Sequence, residues 1–318
     1  GGKPIPLSGK GMSGDTVRVT FNGQTKSAPV VDGAWSVELD SQAYGGPYTL
    51  TVSDSGYTYA FKGIYVGEVF VVAGQSNSEM SVYESDENKD TLKKFNNQTQ
   101  VRLFRPQSRM ATTPLPDTAT RWEVARGAYN EQMVGTASAI GVFCVQELLE
   151  INPQLKNVKI GIIQLTYGGT SIEMFLPDCV SETADRLGKD DEFLKSGFWN
   201  GYMDGLTPYA IKALIFYQGE NSTHLGYMYE PLLRDISGAS GRSSMIRRCR
   251  LCWFSWRAMA TTTGRTTIRG PISARCRCAL RTRPTTWGLS RRSTSPARTR
   301  STSIPRQNAP SASGSRIW

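Results

Sequence analysis

Glu68-Val69-Phe70-Val71-Val72-Ala73-Gly74-Gln75-Ser76-Asn77 decides how the chain is read. An apolar run rich in β-branched residues ends on a glycine, and a serine follows two positions later. A short continuous run of this kind predicts a strand buried on both faces, as in a parallel sheet. Gly74 permits a sharp turn, which leaves Ser76 at the carboxyl end of the strand, where open α/β sheets gather their active sites. Two readings of Ser76 follow. It is a candidate nucleophile, needing a base for its proton and donors for an oxyanion. Alternatively it is the N-cap of a helix entered through an ordinary strand-to-helix turn.

Two later stretches repeat the pattern of buried strand followed by polar loop. Val158 to Leu165 runs into Tyr167-Gly168-Gly169-Thr170-Ser171-Ile172-Glu173, and Ile211 to Tyr217 runs into Gln218-Gly219-Glu220-Asn221. Val101 to Phe104 reads as a further strand. Thr136 or Ser138 can cap a helix whose apolar stripe is Ile140, Phe143, Cys144, Leu148 and Ile151, which makes Cys144 a core thiol. The polar stretch Tyr83 to Thr99 reads as a surface segment over the site.

These three loops in this order resemble the conserved blocks of the SGNH hydrolases, in the sialate O-acetylesterase and acetylxylan esterase branch. The resemblance covers about residues 1 to 235. It implies a flavodoxin-like three-layer α/β domain in which Ser76 is the nucleophile and no metal or organic cofactor is needed. By the same resemblance the oxyanion hole comprises the N–H groups of Ser76 and Gly169 and the side chain of Asn221. Gly74, Gln75, Gln218, Gly219 and Glu220 then serve as supporting loop residues. The sequence departs from the family pattern after the nucleophile, where Ser78-Glu79-Met80 follows Asn77, and in the third loop, where Ser222 replaces an acid. The implied substrate is an O-acetylated carbohydrate, with acetylated sialic acid and acetylated xylan both open, and the expected location is extracellular or periplasmic.

Residues 1 to 63 read as a small all-β, sandwich-like module. Val17, Val19 and Phe21 alternate before Asn22-Gly23, a hairpin signal because both residues tolerate positive φ. Asp32-Gly33 marks a second turn, and three alternating runs follow at 35–39, 48–52 and 57–61. Four strands are expected, serving as a structural neighbour of the hydrolase domain (64–235) or as a glycan-binding module. The sialate O-acetylesterase family carries a similar module ahead of its catalytic domain.

The chain has 318 residues, 39% of them hydrophobic, and no apolar run long enough to span a membrane as a helix. Its formal charge of +10 is a property of one end. From Ile236 to Trp318 there are 17 Arg and no Lys, Asp or Glu, so residues 1 to 235 hold 20 basic residues against all 27 acids. A basic chain suggests nucleic acid as a partner, but the acidic body does not support that class. Four of six cysteines, at 249, 252, 276 and 278, also lie in the tail, with irregular spacing for a zinc site. An arginine-serine tail can bind RNA, yet Trp253, Phe254, Trp256, Trp287 and Trp318 are unusual for a disordered basic segment.

Residues 236 to 318 read instead as an aberrant, poorly ordered tail translated out of frame. Cys252, Trp253, Phe254 and Trp256 have codons beginning with T. With the frame moved so that this T is a middle base, such codons encode only Phe, Leu, Ile, Met or Val. Allowed codons for 250 to 256 can then read as a buried strand, and those for 298 to 305 as Asn-Glu-Ile-His-Ile-His-Pro, similar to the last SGNH block. His224 is the only histidine present. It is rejected as the base because in the family the base lies far downstream, near the C-terminus. The catalytic histidine and its acid are therefore expected to be missing from this chain.

Overall fold

The computed structural model describes residues 1–85, 88–95, 98–106, 110–115, 120–126, 134–177, 196–206, 209–238 and 250–254. Nearly all of the predicted tail, including Cys249, Cys276, Cys278 and the 298–305 stretch, lies outside the described residues.

The first 66 residues form six strands rather than four. Strands β1 (Ile5–Lys10) and β4 (Ala34–Leu39) pair antiparallel. Strands β2 (Thr16–Phe21), β3 (Gln24–Pro29), β5 (Gly45–Ser53) and β6 (Thr58–Val66) make an antiparallel sheet in the order β3-β2-β5-β6. Asn22 and Gly23 both have positive φ, 43° and 82°, and close a two-residue turn between Phe21 and Gln24. Asp32 and Gly33, at 51° and 77°, close another two-residue turn under the Val31–Ala34 bridge. The two unforeseen strands are poor in alternation. β1 carries Pro6 and Gly9, and the edge strand β3 buries only Ala28. Inside, Val17, Val19, Phe21, Val30, Trp35 and Leu39 form one apolar cluster.

β6 runs through Gly63 to Val66, and β7 (Glu68–Gly74) begins two residues later. Tyr44 donates to Glu68, Lys212 lies 3.1 Å from the same carboxylate, and the amino terminus donates to the Gly67 carbonyl at 2.7 Å.

β7 is central in a six-stranded sheet ordered β12-β11-β7-β10-β8-β9. Its members are β8 (Val101–Phe104), β9 (Glu123–Val124), β10 (Ile160–Thr166), β11 (Ala213–Tyr217) and β12 (Arg250–Phe254). All pairings are parallel except that of β9. Alternate residues of β7 feed opposite clusters, Val71 and Ala73 into one and Phe70 and Val72 into the other, as a strand covered on both faces requires.

Helix α1 (Ser76–Glu79) is a single turn, and α2 (Asn88–Phe95) belongs to the charged stretch after it. That stretch packs beside α3 (Ala139–Ile151) rather than standing only at the surface: Phe95 joins the cluster under α3, and Lys94 pairs with Glu150 at 2.9 Å. Ser138 caps α3, accepting from Gly141 N. The predicted stripe on α3 is only half-buried, and Ile151 is 65% exposed. Ala139, Gly141, Val142 and Val145 face the sheet instead. Small residues let the helix approach closely; a Cβ on Gly141 would stand 2.6 Å from Val72 Cγ2. Cys144, on the stripe, is likewise half-buried. On the opposite face lie the turns Ile172–Phe175 and Trp199–Met203 and helix α4 (Tyr229–Gly238).

The tail supplies a correction. Arg250–Phe254 was expected to be unstructured, but it adds a fully registered parallel strand to β11, from Ala213↔Arg250 to Tyr217↔Phe254. Leu251, Cys252, Trp253 and Phe254 are apolar and compatible with a strand, so this segment can complete an open sheet edge whatever its origin. Among the described residues no helix is long and apolar enough to cross a membrane, which says nothing of β-barrels.

Candidate active site

The carboxyl ends of β11, β7 and β10 lie side by side and bring the three predicted loops together. Gly74 makes the closest approach. Its φ is 140°, and a Cβ there would fall 1.9 Å from the Tyr217 carbonyl oxygen and 2.2 Å from Ser78 Oγ. Only glycine fits. Ser78 donates to the same Tyr217 carbonyl at 2.6 Å, and Gln75 N to it at 3.3 Å.

Gln75, not Ser76, occupies the cap position of α1, so the capping alternative for Ser76 does not hold. Ser76 is the first residue of the turn and is exposed, and its N–H has no hydrogen-bond partner among the described residues. Gly168 stands opposite, where a Cβ would be 4.0 Å from Ser76 Cβ and 3.3 Å from Glu79 Oε2. Gly169 has a φ of 75°, a free N–H among the described residues, and open space where a side chain would project. Asn221 is drawn to the same place: Nδ2 donates to the Gly169 carbonyl at 2.5 Å, leaving its second amide proton. Asn77 Nδ2 donates to Glu220, whose second oxygen is buried with no hydrogen-bond partner among the described residues. Burial, then the charge of Glu220 and a hydrogen bond to it, push the Tyr217 hydroxyl above its ordinary pKa.

Beneath these groups lies a buried network that sequence reasoning treated only as loop support. Gln75 is 4% exposed, and its Oε1 accepts from Asn221 N at 3.0 Å, Gln218 Nε2 at 3.1 Å and Gly219 N at 3.4 Å. Gln218, fully buried, also donates to Ser222 Oγ at 2.8 Å and to the Thr170 carbonyl at 3.1 Å. Ser222, where the resemblance expects an acid, accepts from Ile172 N at 2.9 Å. Two amides and a hydroxyl thus tie all three loops together. Ser222 was missed as a contributor; its only sequence signal is a polar residue four positions after Gln218.

The backbone of His224 lies in the 3₁₀ segment Glu220–Met228; its side chain is outside the described residues.

A largely parallel α/β sheet with an exposed serine at the end of its central strand defines a hydrolase-like class of protein. The family model for carbohydrate esterases, sialic acid-specific acetylesterases, matches residues 66–230, more than half of the chain, and the chain belongs to that family. Among solved structures it is similar to a carbohydrate acetylesterase from Xanthomonas citri, with 25% identity and a TM-score of 0.66 over 79% of this chain. The chain spans 56% of that protein's length. Matches to a protein from Arabidopsis thaliana (17% identity, 59% of this chain and 73% of that one, TM-score 0.30) and one from Bacillus subtilis (9%, 79% and 53%, 0.27) are too distant to inform the fold. No curated protein sequence matches the chain.

Proposed function

We propose that the chain derives from a serine O-acetylesterase acting on acetylated sugars, with Ser76 as nucleophile. Ser76 Oγ attacks the acetyl carbonyl while a histidine takes its proton. The N–H groups of Ser76 and Gly169 and the Asn221 amide hold the oxyanion, and water then releases acetate and frees the serine. The observation that carries this reading is an exposed serine, its N–H without a partner among the described residues, on the first turn after β7 beside an open glycine and an asparagine amide. The domain is read as three-layer and flavodoxin-like behind a sandwich-like module, in an extracellular or periplasmic protein with no nucleic-acid or membrane partner.

The missing base is attributed to a frameshift near residues 230 to 240. What supports this is the break in composition after Asp235 together with the codons of Cys252, Trp253, Phe254 and Trp256, which in the shifted frame encode only apolar residues. The test is turnover of an aryl acetate. The chain as written should hydrolyse it no faster than buffer. A gene with one frame restored should turn it over, and Ser76→Ala should abolish that activity. Turnover by the present chain, lost in Ser76→Ala, would overturn the frameshift reading.

A second reading, non-catalytic glycan binding, is favoured by an aromatic row along β6. Tyr57, Tyr59 and Phe61 are 68%, 57% and 52% exposed, and the two tyrosine rings stack at 6.4 Å. If the restored-frame protein stays inactive while sugar binding is lost in Tyr59→Ala, this reading replaces the first.

A further inference from the structure

The β-rich module is closed along one side and open along the other. On the closed side the edge strand β3 is stitched to β4. Lys26 donates to the Glu38 carbonyl and pairs with Asp40, each at 2.7 Å, and Gln24 exchanges hydrogen bonds with the Asp40 backbone. On the open side β6 ends the four-stranded sheet, and residues 57–62 are all exposed. Tyr59 stands opposite Val52 and Phe61 opposite Leu50, and both β5 residues pack against the module's apolar cluster. Cross-strand partners share a face. The aromatic row of β6 therefore continues the core outward, where the second sheet, only β1 and β4, does not cover it.

The backbone of this edge points outward at alternate residues. Asp54 N donates to the Tyr57 carbonyl at 3.0 Å, so positions 54 and 57 form a hydrogen-bonded pair. The register continues from Ser53↔Thr58 to Thr49↔Lys62, which turns the groups of Tyr59 and Phe61 toward β5 and those of Thr58, Ala60 and Lys62 away from it. Lys62 is the one charge on this stretch, and no proline or bulge blunts it. Just beyond, the register shifts at Gly63, whose φ is 74°, and the Tyr65 ring meets the Arg102 guanidinium at 4.5 Å.

A second copy of the edge, running antiparallel, complements it about Ala60. With Ala60 on a two-fold axis, Thr58 lies opposite the partner's Lys62 and Tyr59 opposite the partner's Phe61. The outward N–H and C=O groups then face one another, the small side chain sits on the axis, and the lysines stay apart. Tyr57, Tyr59 and Phe61 are 68%, 57% and 52% exposed, so at about 150–250 Å² per ring they supply roughly 300–400 Å² per copy. That is about half of the 800 Å² per partner in a standard interface, which suits a dimer of modest affinity.

We propose that the β6 edge is a self-association surface, through which two copies of the chain join antiparallel about Ala60 into one continuous sheet. The proposal does not depend on the esterase reading, and it gives the aromatic row a second copy rather than a glycan as occupant. Sedimentation equilibrium of the full chain should show a monomer–dimer equilibrium with a dissociation constant of about 1–100 μM. Ala60→Pro removes an outward N–H and leaves β5 and the rings untouched, a change that an edge strand tolerates. It should weaken the dimer at least tenfold. Ala60→Lys, which sets two ammonium groups across the axis, should do the same, and Ala60→Ser should dimerise like the parent. Circular dichroism confirms that each variant is folded; if proline disturbs the module, the lysine variant decides alone. A parent that stays monomeric to about 200 μM, an assembly larger than two, or a dimer that a folded Ala60→Pro or Ala60→Lys leaves unchanged overturns the proposal. A monomer whose tyrosine fluorescence responds to xylobiose also overturns it and returns the row to the glycan reading.

Discussion

Replacing Gln75 by Leu tests whether one buried amide oxygen holds the third loop in place. The side chains are similar in size, so the perturbation is chiefly loss of the acceptor. Of the three donors that converge on Oε1, Gln218 Nε2 keeps Thr170 O and Ser222 Oγ and is not stranded. Asn221 N, at 3.0 Å, loses the only partner it has among the described residues, and Gly219 N loses a longer bond of 3.4 Å. A stranded buried donor costs about 1–3 kcal/mol, and since both of these bonds are part-buried, losing one full and one weak partner comes to about 1–2 kcal/mol. With a urea m-value of about 2–3 kcal/mol/M, the unfolding midpoint should fall by about 0.5 M. Amide exchange at Asn221 and Gly219 should accelerate, while the core of β7 keeps its protection relative to global unfolding. A midpoint shift below about 0.2 M at unchanged m, or no faster exchange at Asn221, would refute the assignment of Gln75 as the hub.

Two further variants test other parts of the fold. Gly141→Ala sets a gain in helix propensity of about 1 kcal/mol against overpacking on Val72 that costs about 1–3 kcal/mol. Net destabilisation is expected in urea unfolding, less than additive with Val72→Ala, and net stabilisation would show that α3 has room to move. Tyr44 is held up to about 12, first by its hydrogen bond to Glu68 and then by burial and the charge of that carboxylate. Because the folded value is raised above the unfolded one of about 10, this contribution is present below about pH 10 and is lost as pH rises toward 12. Spectrophotometric titration should show one tyrosinate appearing near pH 12, absent in Tyr44→Phe; an unchanged curve in that variant would exclude the assignment.

Local pattern was enough where a feature depends on residues close in sequence. The apolar run 68–74 reads as a two-face-buried strand because no polar side chain interrupts it, and the Asn22-Gly23 and Asp32-Gly33 turns follow from residues that accept positive φ. Ser138 was legible as a cap because its partner is three residues away. β1 and β3 were not legible, since an edge strand need not alternate and Pro6 interrupts the pattern. The buried side of α3 was misjudged for a related reason. Large apolar residues were assigned to the core, whereas the small residues Ala139 and Gly141 face a sheet that comes close enough to exclude them.

The sequence by itself determined the central strand, the glycine that ends it, the place of Ser76 at the strand's carboxyl end and the order of the three loops. Tertiary structure alone decided that Gln75 meets Gln218, 143 residues away, and that Ser222 reaches back to Ile172. It also decided that Arg250–Phe254 pairs with β11. Strand and turn propensities act over a few residues, whereas the partner of a buried amide depends on which strands become neighbours. That order is set by the packing of the whole sheet.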